Sequence, residues 1–250
     1  MNISVCIATY NGSSYILEQI YSILEQLNDD DEIIIVDDSS SDNTLQLLIG
    51  INDCRIKIYQ NNRNFREIYT FSRAISLAKN DIIFLSDQDD VWIKDRVKLM
   101  KAKLLDGNSL LISTNHDLLF LVDRAKFKMY PLKAIDSNKY FMNVLGIFLG
   151  KRDYFGCAMA FKKDLRDIIL PIPTYIESHD IWIALIGNIM RSNIHLEIET
   201  LTRKIHSNNA TKQNRKFYIK LWARIIHLSS VFHIFYRILY YRLKHKSILI

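Results

Sequence analysis

Three carboxylates lie within four residues in the stretch Asp87-Gln88-Asp89-Asp90, which follows the largely apolar run 81–86. Like charges at this spacing repel one another, so a cation would stabilise them beside a buried strand. Carboxylate oxygens suit Mg²⁺ or Mn²⁺, and nucleotide phosphates commonly complete the coordination shell of these ions. The stretch therefore indicates a site for a metal bound to a polyphosphate. A solvated acidic turn that caps the next helix has the same short pattern.

A second acidic pair, Asp37-Asp38, follows the apolar run 32–36. A turn, with Asp42 as the N-cap of the next helix, explains part of this pattern without any ligand. The loop after the first strand lacks both a G-x-G-x-x-G and a G-x-x-x-x-G-K-[ST] sequence. These absences disfavour NAD or FAD enzymes and P-loop kinases.

Strand and helix patterns alternate through the first 90 residues. Apolar runs at 3–8, 32–36, 55–59 and 81–86 predict buried strands, with amphipathic helices between them, the last over 66–79. Such alternation predicts a parallel sheet with helices on both faces and with the carboxyl ends of its strands along one edge. Ligands bind at that edge, so we expect the acidic loops to meet there.

The second half of the chain has a less regular pattern. Short strands are predicted at 110–113, 118–122 and 155–161, and a short helix ends near Ile169. The charged stretch 123–143 is predicted to form a long loop near the site.

A further helix is predicted to begin after Ser178 and to run toward Met190. Ser178 is a good N-cap, which places His179 and Asp180 in the first turn, near the positive end of the helix dipole. A lone histidine is more often structural than catalytic, so we leave His179 out of the candidate site.

The composition indicates a folded protein in a reducing compartment. The 250 residues, 49% of them apolar, suffice for one large domain or one domain with an appendage. The cysteines Cys6, Cys54 and Cys157 are widely spaced, which predicts no disulfide framework. Met1-Asn2 leads directly into a strand pattern, so we expect no secretory signal and a cytoplasmic location.

Positive charge is concentrated near the C-terminus. The net charge is +6, no acidic residue follows Glu199, and nine Lys and Arg residues lie between 212 and 246. Helical spacing there predicts an amphipathic basic helix that lies on an anionic membrane surface, where each basic side chain contributes on the order of 1 kcal/mol. Packing of this helix on its own domain, or in a dimer, is the alternative. No run of about 18 uncharged apolar residues predicts a membrane span.

The two faces of this predicted helix are defined by its side chains. The apolar face comprises Phe217, Leu221, Ile225, Leu228, Phe232, Phe235 and Leu239, and the basic face comprises Lys216, Lys220, Arg224, His227 and Arg237.

Taken together, these motifs resemble those of the family 2 glycosyltransferases, which are inverting sugar transferases of the GT-A fold. The resemblance spans roughly residues 3–210, and segments 4–11 and 36–44 are fairly specific. The strongest match is the D-Q-D-D-x-W string at 87–92, which is similar to a bacterial branch described as rhamnosyltransferase-like. Three later segments follow that branch in the same order, at 156–161, 179–182 and 203–209.

The resemblance implies an α/β fold of GT-A type, with a mainly parallel, Rossmann-like central sheet flanked by helices. It implies a glycosyltransferase domain at 1–210, with a nucleotide-binding half at 1–92 and an acceptor half at 93–210. Residues 211–250 would form the basic amphipathic helical tail.

The resemblance also implies roles for residues at matching positions. Asp38 would hydrogen-bond the base of a nucleotide, and Thr9 and Tyr10 would line the same pocket. Asp87 and Asp89 would bridge the ribose and the metal.

On the metal and acceptor side, Asp89 and Asp90 join Asp87 as candidate metal ligands, and the resemblance does not decide which of the three contacts the ion. His206 would approach the diphosphate or the metal. Asp180 occupies the position of the catalytic base. The implied cofactor is Mg²⁺ or Mn²⁺.

The function implied is transfer of a single sugar, with rhamnose as one candidate, from a dTDP- or UDP-linked donor. The acceptor would be a glycan or a polyprenyl-diphosphate-linked glycan in bacterial O-antigen, lipopolysaccharide or capsule synthesis, on the cytoplasmic face of the inner membrane. The Q-x-x-R-W signature of processive members is missing, which favours transfer of one sugar.

Two other functions remain open from the residues. A nucleotidyltransferase also uses paired aspartates and a metal, but segment 9–12 lacks the basic residue that would hold a triphosphate. A membrane-associated protein that binds nucleic acid without catalysis would use the basic tail, but the acidic turns disfavour nucleic acid as a partner.

Overall fold

The computed structural model describes residues 1–121, 129–206 and 217–244, with backbone only at Phe217 and Lys220. The strands are β1 (Ile3–Thr9), β2 (Glu32–Asp37), β3 (Ile56–Gln60), β4 (Ile82–Ser86), β5 (Asp90–Trp92), β6 (Leu111–Phe120), β7 (Met159–Lys162) and β8 (Asn193–Ile205). The α-helices are α1 (Ile16–Leu24), α2 (Thr44–Ile49), α3 (Arg66–Leu77), α4 (Arg96–Leu105), α5 (Tyr140–Leu149), α6 (Arg166–Ile169), α7 (His179–Ile189) and α8 (Phe217–Lys244).

One sheet contains the described strands in the order β3-β2-β1-β4-β7-β6-β8-β5. β1 pairs in parallel with β2 and β4, and β2 pairs in parallel with β3. This confirms the parallel sheet predicted from the first 90 residues. β7 is antiparallel to both β4 and β6, and β5 is antiparallel to β8, so the second half of the sheet is mixed.

Helices cover both faces of the sheet, and each face has its own apolar core. Alternate residues of β1 show the division, because Val5 and Ile7 pack toward α1 and α4, whereas Cys6 packs toward α3 and α7. Side chains of a strand alternate between faces, so a nearly continuous apolar run is what a strand covered on both sides requires.

Several predictions about the second half are wrong in detail. The two strands predicted at 110–113 and 118–122 form the single strand β6, whose pairing with β8 shifts register after Thr114 and after Asn115. The polar residues at these shifts interrupt the apolar pattern and conceal the continuity. The predicted loop 123–143 ends too late, because α5 begins at Tyr140, and residues 122–128 lie outside the described chain.

Local boundaries also differ. The strand predicted at 155–161 begins with a 3₁₀ turn, Gly156–Ala158, before β7. The N-cap of α2 is Asn43 rather than Asp42, although Asp42 Oδ1 accepts a hydrogen bond from the Thr44 N–H at 3.0 Å. β5 and β8 had not been predicted, since β5 has only three residues and β8 alternates polar with apolar ones.

The C-terminal helix α8 is longer than any other described helix, with 28 residues. It packs on the domain through a narrow buried stripe that includes Ala223, Ser230, Ile234 and Ile238. None of the helices in the described parts of the chain has the length and apolar character needed to cross a bilayer.

Candidate functional site

Gln88 joins the loop after β4 to the end of β1. Its Oε1 accepts hydrogen bonds from the Thr9 hydroxyl at 2.6 Å and from the Tyr10 N–H at 2.8 Å. Its Nε2 donates to the Tyr10 carbonyl at 3.1 Å. The two residues expected to line a nucleotide pocket therefore lie beside the acidic stretch, at the edge that the strand pattern predicts.

Three non-glycine residues with left-handed backbone lie in the loop after β1, in the loop after β2 and at the first position of α3. Their φ angles are 49° at Asn11, 64° at Ser39 and 69° at Arg66. Such conformations are unfavourable for side chains with a Cβ and persist where the surrounding contacts enforce them. Asp95 and Arg191 also have left-handed backbone, so three of the five such residues in the described chain lie near the candidate site.

Asp38 holds the loop that precedes α3. Its Oδ1 accepts hydrogen bonds from Asn61 Nδ2 at 2.7 Å and from the Phe65 N–H at 2.9 Å, and its Oδ2 accepts from the Arg66 N–H at 2.7 Å. The residue is buried. The expected contact between Asp38 and a nucleotide base stays a prediction. The two carboxylate oxygens have about four lone-pair sites, so one is left to accept a hydrogen bond from the base.

Asp87 and Asp90 of the acidic stretch form a cluster with Cys157, and the candidate ligand atoms of the three lie within 4.8 Å of one another. Asp90 and Cys157 are buried, and Asp87 is partly buried. Burial, followed by the charges of Asp90 and Asp89, raises the pKa of Asp87 well above its usual range. Burial and the charge of Asp89 raise the pKa of Asp90 to about 7. The carboxylates therefore lack enough positive charge in the protein itself to stabilise their ionised forms.

Asp89 contacts the residue that follows β8. Its Oδ2 lies 2.8 Å from His206 Nε2, and the His206 ring stacks on Tyr15 with a centroid separation of 4.6 Å. Two of the expected metal ligands, distant in sequence, are thus brought together. Residues 207–209, which complete the predicted motif around His206, lie outside the described chain.

Arg203, on β8, lies among the acidic residues and was not predicted as a site residue. Its guanidinium carbon lies 4.4 Å from the centroid of the Phe155 ring. The charges of Asp90, Asp87 and Asp180 all act on it. Arg203 therefore supplies part of the positive charge that the acidic cluster needs.

Asp180 lies in the first turn of α7, as predicted. The side chain of Ser178 caps this helix by accepting a hydrogen bond from the Ile181 N–H. His179 lies between Asp180 and Glu67 of α3. His179 and Glu67 are thus site residues that sequence reasoning missed, because the contact joins two helices distant in the chain.

These contacts place the predicted site residues around one edge of the sheet. Gly156 adjoins His179 and Asp180, whereas Cys157, the next residue, belongs to the Asp87 cluster. A cavity of about 840 Å³ lies elsewhere, between α3, α6 and α8, and its lining includes Arg73, Asp167, Arg237 and Tyr240 but none of the predicted site residues. The contacts among the acidic residues, rather than that cavity, define the candidate site.

The acidic residues have the chemistry of a divalent-metal site. Asp90 Oδ2 is buried and has no hydrogen-bond partner among the described residues. The pKa of the neighbouring Asp87 is raised like that of Asp90, so a cation would relieve both the repulsion and the unpaired oxygen. These side chains fit a hard ion such as Mg²⁺ or Mn²⁺, with Asp87, Asp89, Asp90 and His206 as the candidate ligands.

Comparison with known proteins identifies the family. A sequence model described as glycosyl transferase family 2 matches residues 4–169, which is more than half of the chain. The chain belongs to glycosyl transferase family 2. This membership confirms the expected family and carries with it a glycosyltransferase domain, in preference to a nucleotidyltransferase or a nucleic-acid-binding protein.

Two curated relatives of this family 2 chain are sugar transferases. The dTDP-rhamnosyl transferase RfbG of Shigella flexneri is 37% identical over 118 residues, which cover 43% of this chain and 40% of RfbG. The UDP-Glc:alpha-D-GlcNAc-diphosphoundecaprenol beta-1,3-glucosyltransferase WfgD of Escherichia coli is 27% identical over 117 residues, which cover 47% of this chain and 46% of WfgD. The match thus spans less than half of each relative.

Solved structures confirm the fold expected of the family. S. aureus TarS 1–349 in complex with UDP-GlcNAc aligns with a TM-score of 0.71 at 18% identity, over 91% of this chain and 66% of TarS. The mannosyltransferase PcManGT of Pyrobaculum calidifontis, in complex with GDP-Man and Mn²⁺, aligns with a TM-score of 0.60 at 17% identity, over 83% of this chain and 57% of PcManGT.

Proposed function

We propose that this chain transfers a single sugar from a nucleoside-diphosphate sugar to a hydroxyl of a glycan or lipid-linked acceptor, with inversion at the anomeric carbon and with a divalent metal. The observation that carries the proposal is the convergence of the acidic stretch at Asp87–Asp90, Asp180 and His206 at one sheet edge in a family 2 domain. The half at 1–92 would hold the donor, and the half at 93–210 would contribute the base.

The donor would lie across the ends of β1, β2 and β4. Thr9, Tyr10 and Asp38 would face the nucleoside, and the acidic stretch would face the diphosphate. A dTDP- or UDP-linked sugar is favoured, because the names of RfbG and WfgD give these nucleotides for proteins that match nearly half of this chain. Rhamnose is the candidate sugar on the same ground.

The chemistry follows from the charges at this edge. When bound, Mg²⁺ or Mn²⁺ would stabilise the negative charge of the departing nucleoside diphosphate. Asp87, Asp89, Asp90 and His206 would hold the ion, and Arg203 would supply a fixed positive charge beside them. This division of charge is suited to a phosphate leaving group.

Asp180 would act as the general base. Its carboxylate takes the proton of the acceptor hydroxyl while that oxygen forms a bond to the anomeric carbon. The bond between this carbon and the diphosphate oxygen breaks on the opposite side, and the leaving diphosphate keeps the electron pair. Attack opposite the leaving group inverts the configuration in a single step.

The tail would hold the enzyme at an anionic membrane, where a polyprenyl-linked acceptor is found. The side of α8 opposite its buried stripe exposes large apolar side chains along most of the helix, and we call this set the outer apolar face. It comprises Leu221, Trp222, Ile225, Leu228, Phe232, Phe235, Tyr236, Leu239, Tyr240 and Leu243. Trp and Tyr favour the interfacial region, and the exposed Arg242 and Lys244 complement anionic headgroups.

This arrangement combines two expectations about the tail. One face of α8 packs on the domain, through Ile234 and Ile238, and the outer apolar face is left for the membrane. The basic residues Lys212, Arg215, Lys216 and Lys246 lie outside the described chain. An exposed apolar surface of this length is typical of an interaction site.

A thermal-shift screen tests the proposed function. The full chain would be heated with UDP-, dTDP- and GDP-sugars, each with and without Mn²⁺. We expect one nucleotide class to raise the melting temperature only when Mn²⁺ is present, followed by release of the nucleoside diphosphate in the presence of acceptor. Equal shifts for all nucleotides without Mn²⁺ would contradict the proposed metal-diphosphate site.

A further inference from the structure

His179 is a buried imidazole between two carboxylates. Its Nδ1 lies 2.9 Å from Glu67 Oε1, and its Nε2 lies 3.2 Å from Asp180 Oδ1. The residue is 1% exposed, so water does not compete for either ring nitrogen. The three side chains therefore form a continuous link from α3 to the first turn of α7.

The ring is fixed in this position from two sides. Phe71 stacks on it with a centroid separation of 4.1 Å. A Cβ atom on Gly156 would lie 2.5 Å from His179 Nε2 and 3.4 Å from Asp180 Oδ1, so only glycine leaves room for this arrangement. The imidazole cannot turn away without displacing the 3₁₀ turn or α3.

The ring carries a positive charge at neutral pH. Burial alone would lower the pKa of His179, but the charge of Asp180 and the contact with Glu67 raise it to about 9. The pKa of Glu67, whose side chain is 47% exposed, is lowered because the contact with His179 outweighs its partial desolvation. A protonated imidazole has two N–H groups and carries its charge on both ring nitrogens, so it can attract both carboxylates.

We propose that His179 is a positioning residue, whose imidazolium attracts the carboxylates of Asp180 and Glu67 at ion-pair distance and thereby orients the carboxylate of Asp180 toward the acceptor. This inference rests on the proposed function, in which Asp180 is the base. Asp180 Oδ1 is buried against His179, so Oδ2 is the oxygen that an acceptor hydroxyl reaches.

The link extends to the donor side of the site. Arg66 and Glu67 are neighbours in the first turn of α3. The Arg66 N–H donates to Asp38 on the nucleoside side, and Glu67 contacts His179 beside the general base Asp180. Other charges that act on these groups are those of Asp87, on His179, and of Arg203, on Glu67. Removing the imidazolium would leave the buried Asp180 Oδ1 without the positive charge that faces it.

The charge state is tested without any substrate. Histidine-labelled protein would be titrated by NMR, with His179→Gln used to assign the signal. We expect His179 to remain protonated up to a pH near its raised pKa of about 9, and Asp180→Asn and Glu67→Gln each to lower that pKa. The inference would be overturned if His179 were neutral at pH 7.5. It would also be overturned if His179 had the same pKa in the parent, in Asp180→Asn and in Glu67→Gln.

The positioning role is tested on nucleoside-diphosphate release from UDP-glucose and dTDP-rhamnose with Mn²⁺. His179→Gln should lower kcat by about 10²-fold, because misorientation of a reacting group typically costs that much, and should change the donor KM little. In the parent protein kcat should fall as the pH rises through about 9, and this limb should be absent in His179→Gln.

His195→Gln is the matched control. His195 is equally buried, but its partners are Tyr154 and the Lys133 carbonyl rather than two carboxylates. The His195→Gln variant should retain the fall of kcat as the pH rises through about 9. A kcat for His179→Gln equal to that of the parent would overturn the positioning role, whereas a parent protein without turnover of any donor would contradict the proposed function instead.

Discussion

A Cβ atom on Gly12 would lie 2.4 Å from Gln88 Oε1. The turn after β1 and the acidic loop after β4 are therefore fitted to each other at a contact where a Cβ atom would displace the end of the Gln88 side chain. Because Gln88 also binds both backbone groups of Tyr10, it couples the nucleoside side of the site to the metal side.

Gly12→Ala should displace Gln88 and destabilise this edge of the sheet. We expect the free energy of unfolding to fall by about 1–3 kcal/mol, as for other overpacked sites, and the affinity for nucleotide with Mn²⁺ to fall with it. Urea unfolding and calorimetric titration measure the two effects. Gly50→Ala is the control, since its Cβ would lie 3.4 Å from the nearest atom in right-handed backbone. Equal effects of the two substitutions would contradict the fitted contact.

A double-mutant cycle isolates the contact between Gly12 and Gln88. Gln88→Ala alone should cost about 0.5–1.5 kcal/mol, because the exposed Tyr10 N–H can exchange its lost acceptor for water. In Gly12→Ala/Gln88→Ala the clash is absent. The double variant should therefore lose at least about 0.5 kcal/mol less unfolding free energy than the two single variants lose in sum. Gln46→Ala, on the exposed side of α2, should add to Gly12→Ala without coupling.

The stability of the fold should depend on pH through His179. Its folded-state pKa of about 9 lies above the ordinary value of 6.5, so its stabilising contribution is complete below pH 6.5 and is lost as the pH rises through 9. The difference in unfolding free energy between the parent and His179→Gln should therefore shrink between pH 6.5 and 9.5.

His195 should show the opposite dependence. Burial lowers its pKa, so its contribution is present above the ordinary value of 6.5 and is lost on acidification. Unfolding in urea at pH 5.5, 7.5 and 9.5 distinguishes the two histidines. Parallel pH curves for His179→Gln and His195→Gln would contradict the imidazolium between Glu67 and Asp180.

The outer apolar face of α8 should bind anionic lipid. Phe232→Ser/Phe235→Ser should reduce sedimentation with vesicles containing phosphatidylglycerol, because it removes two side chains that are 69% and 57% exposed. Point substitutions are preferable to deletion of the tail, since Ile234 and Ile238 of the same helix are part of the core. Phe141→Ser, on α5 and 77% exposed, is the control. Unchanged sedimentation of the double variant would contradict the membrane role.

The sequence predicted the first half of the fold well because each signal there is local. The strands at β1, β2 and β4 are continuous apolar runs, and the acidic residues follow directly at their ends. Parallel strands then determine that these loops meet. The relation between Thr9 and the acidic stretch could therefore be deduced before any coordinates were known.

The rest depends on contacts between distant segments, which have no periodic pattern. Nothing near His179 in sequence indicates that Glu67 lies beside it, and nothing near Gln88 indicates that its amide binds Tyr10. β8 was missed because its outward residues, such as Glu197 and Glu199, interrupt the apolar pattern. Arg203 on that strand was therefore quoted as part of a motif but not recognised as a neighbour of the carboxylates.

The most direct test of the account is the metal dependence of Asp89→Ala. Release of nucleoside diphosphate from the donor selected by thermal shift would be measured in the parent and in the variant across a Mn²⁺ titration, with Asp106→Ala, outside the site, as the control. We expect Asp89→Ala to lose about 10²-fold or more of the Mn²⁺-dependent turnover, because charge stabilisation at the leaving group is lost. Full Mn²⁺-dependent turnover in Asp89→Ala would contradict the assignment of the acidic stretch to the metal and the diphosphate.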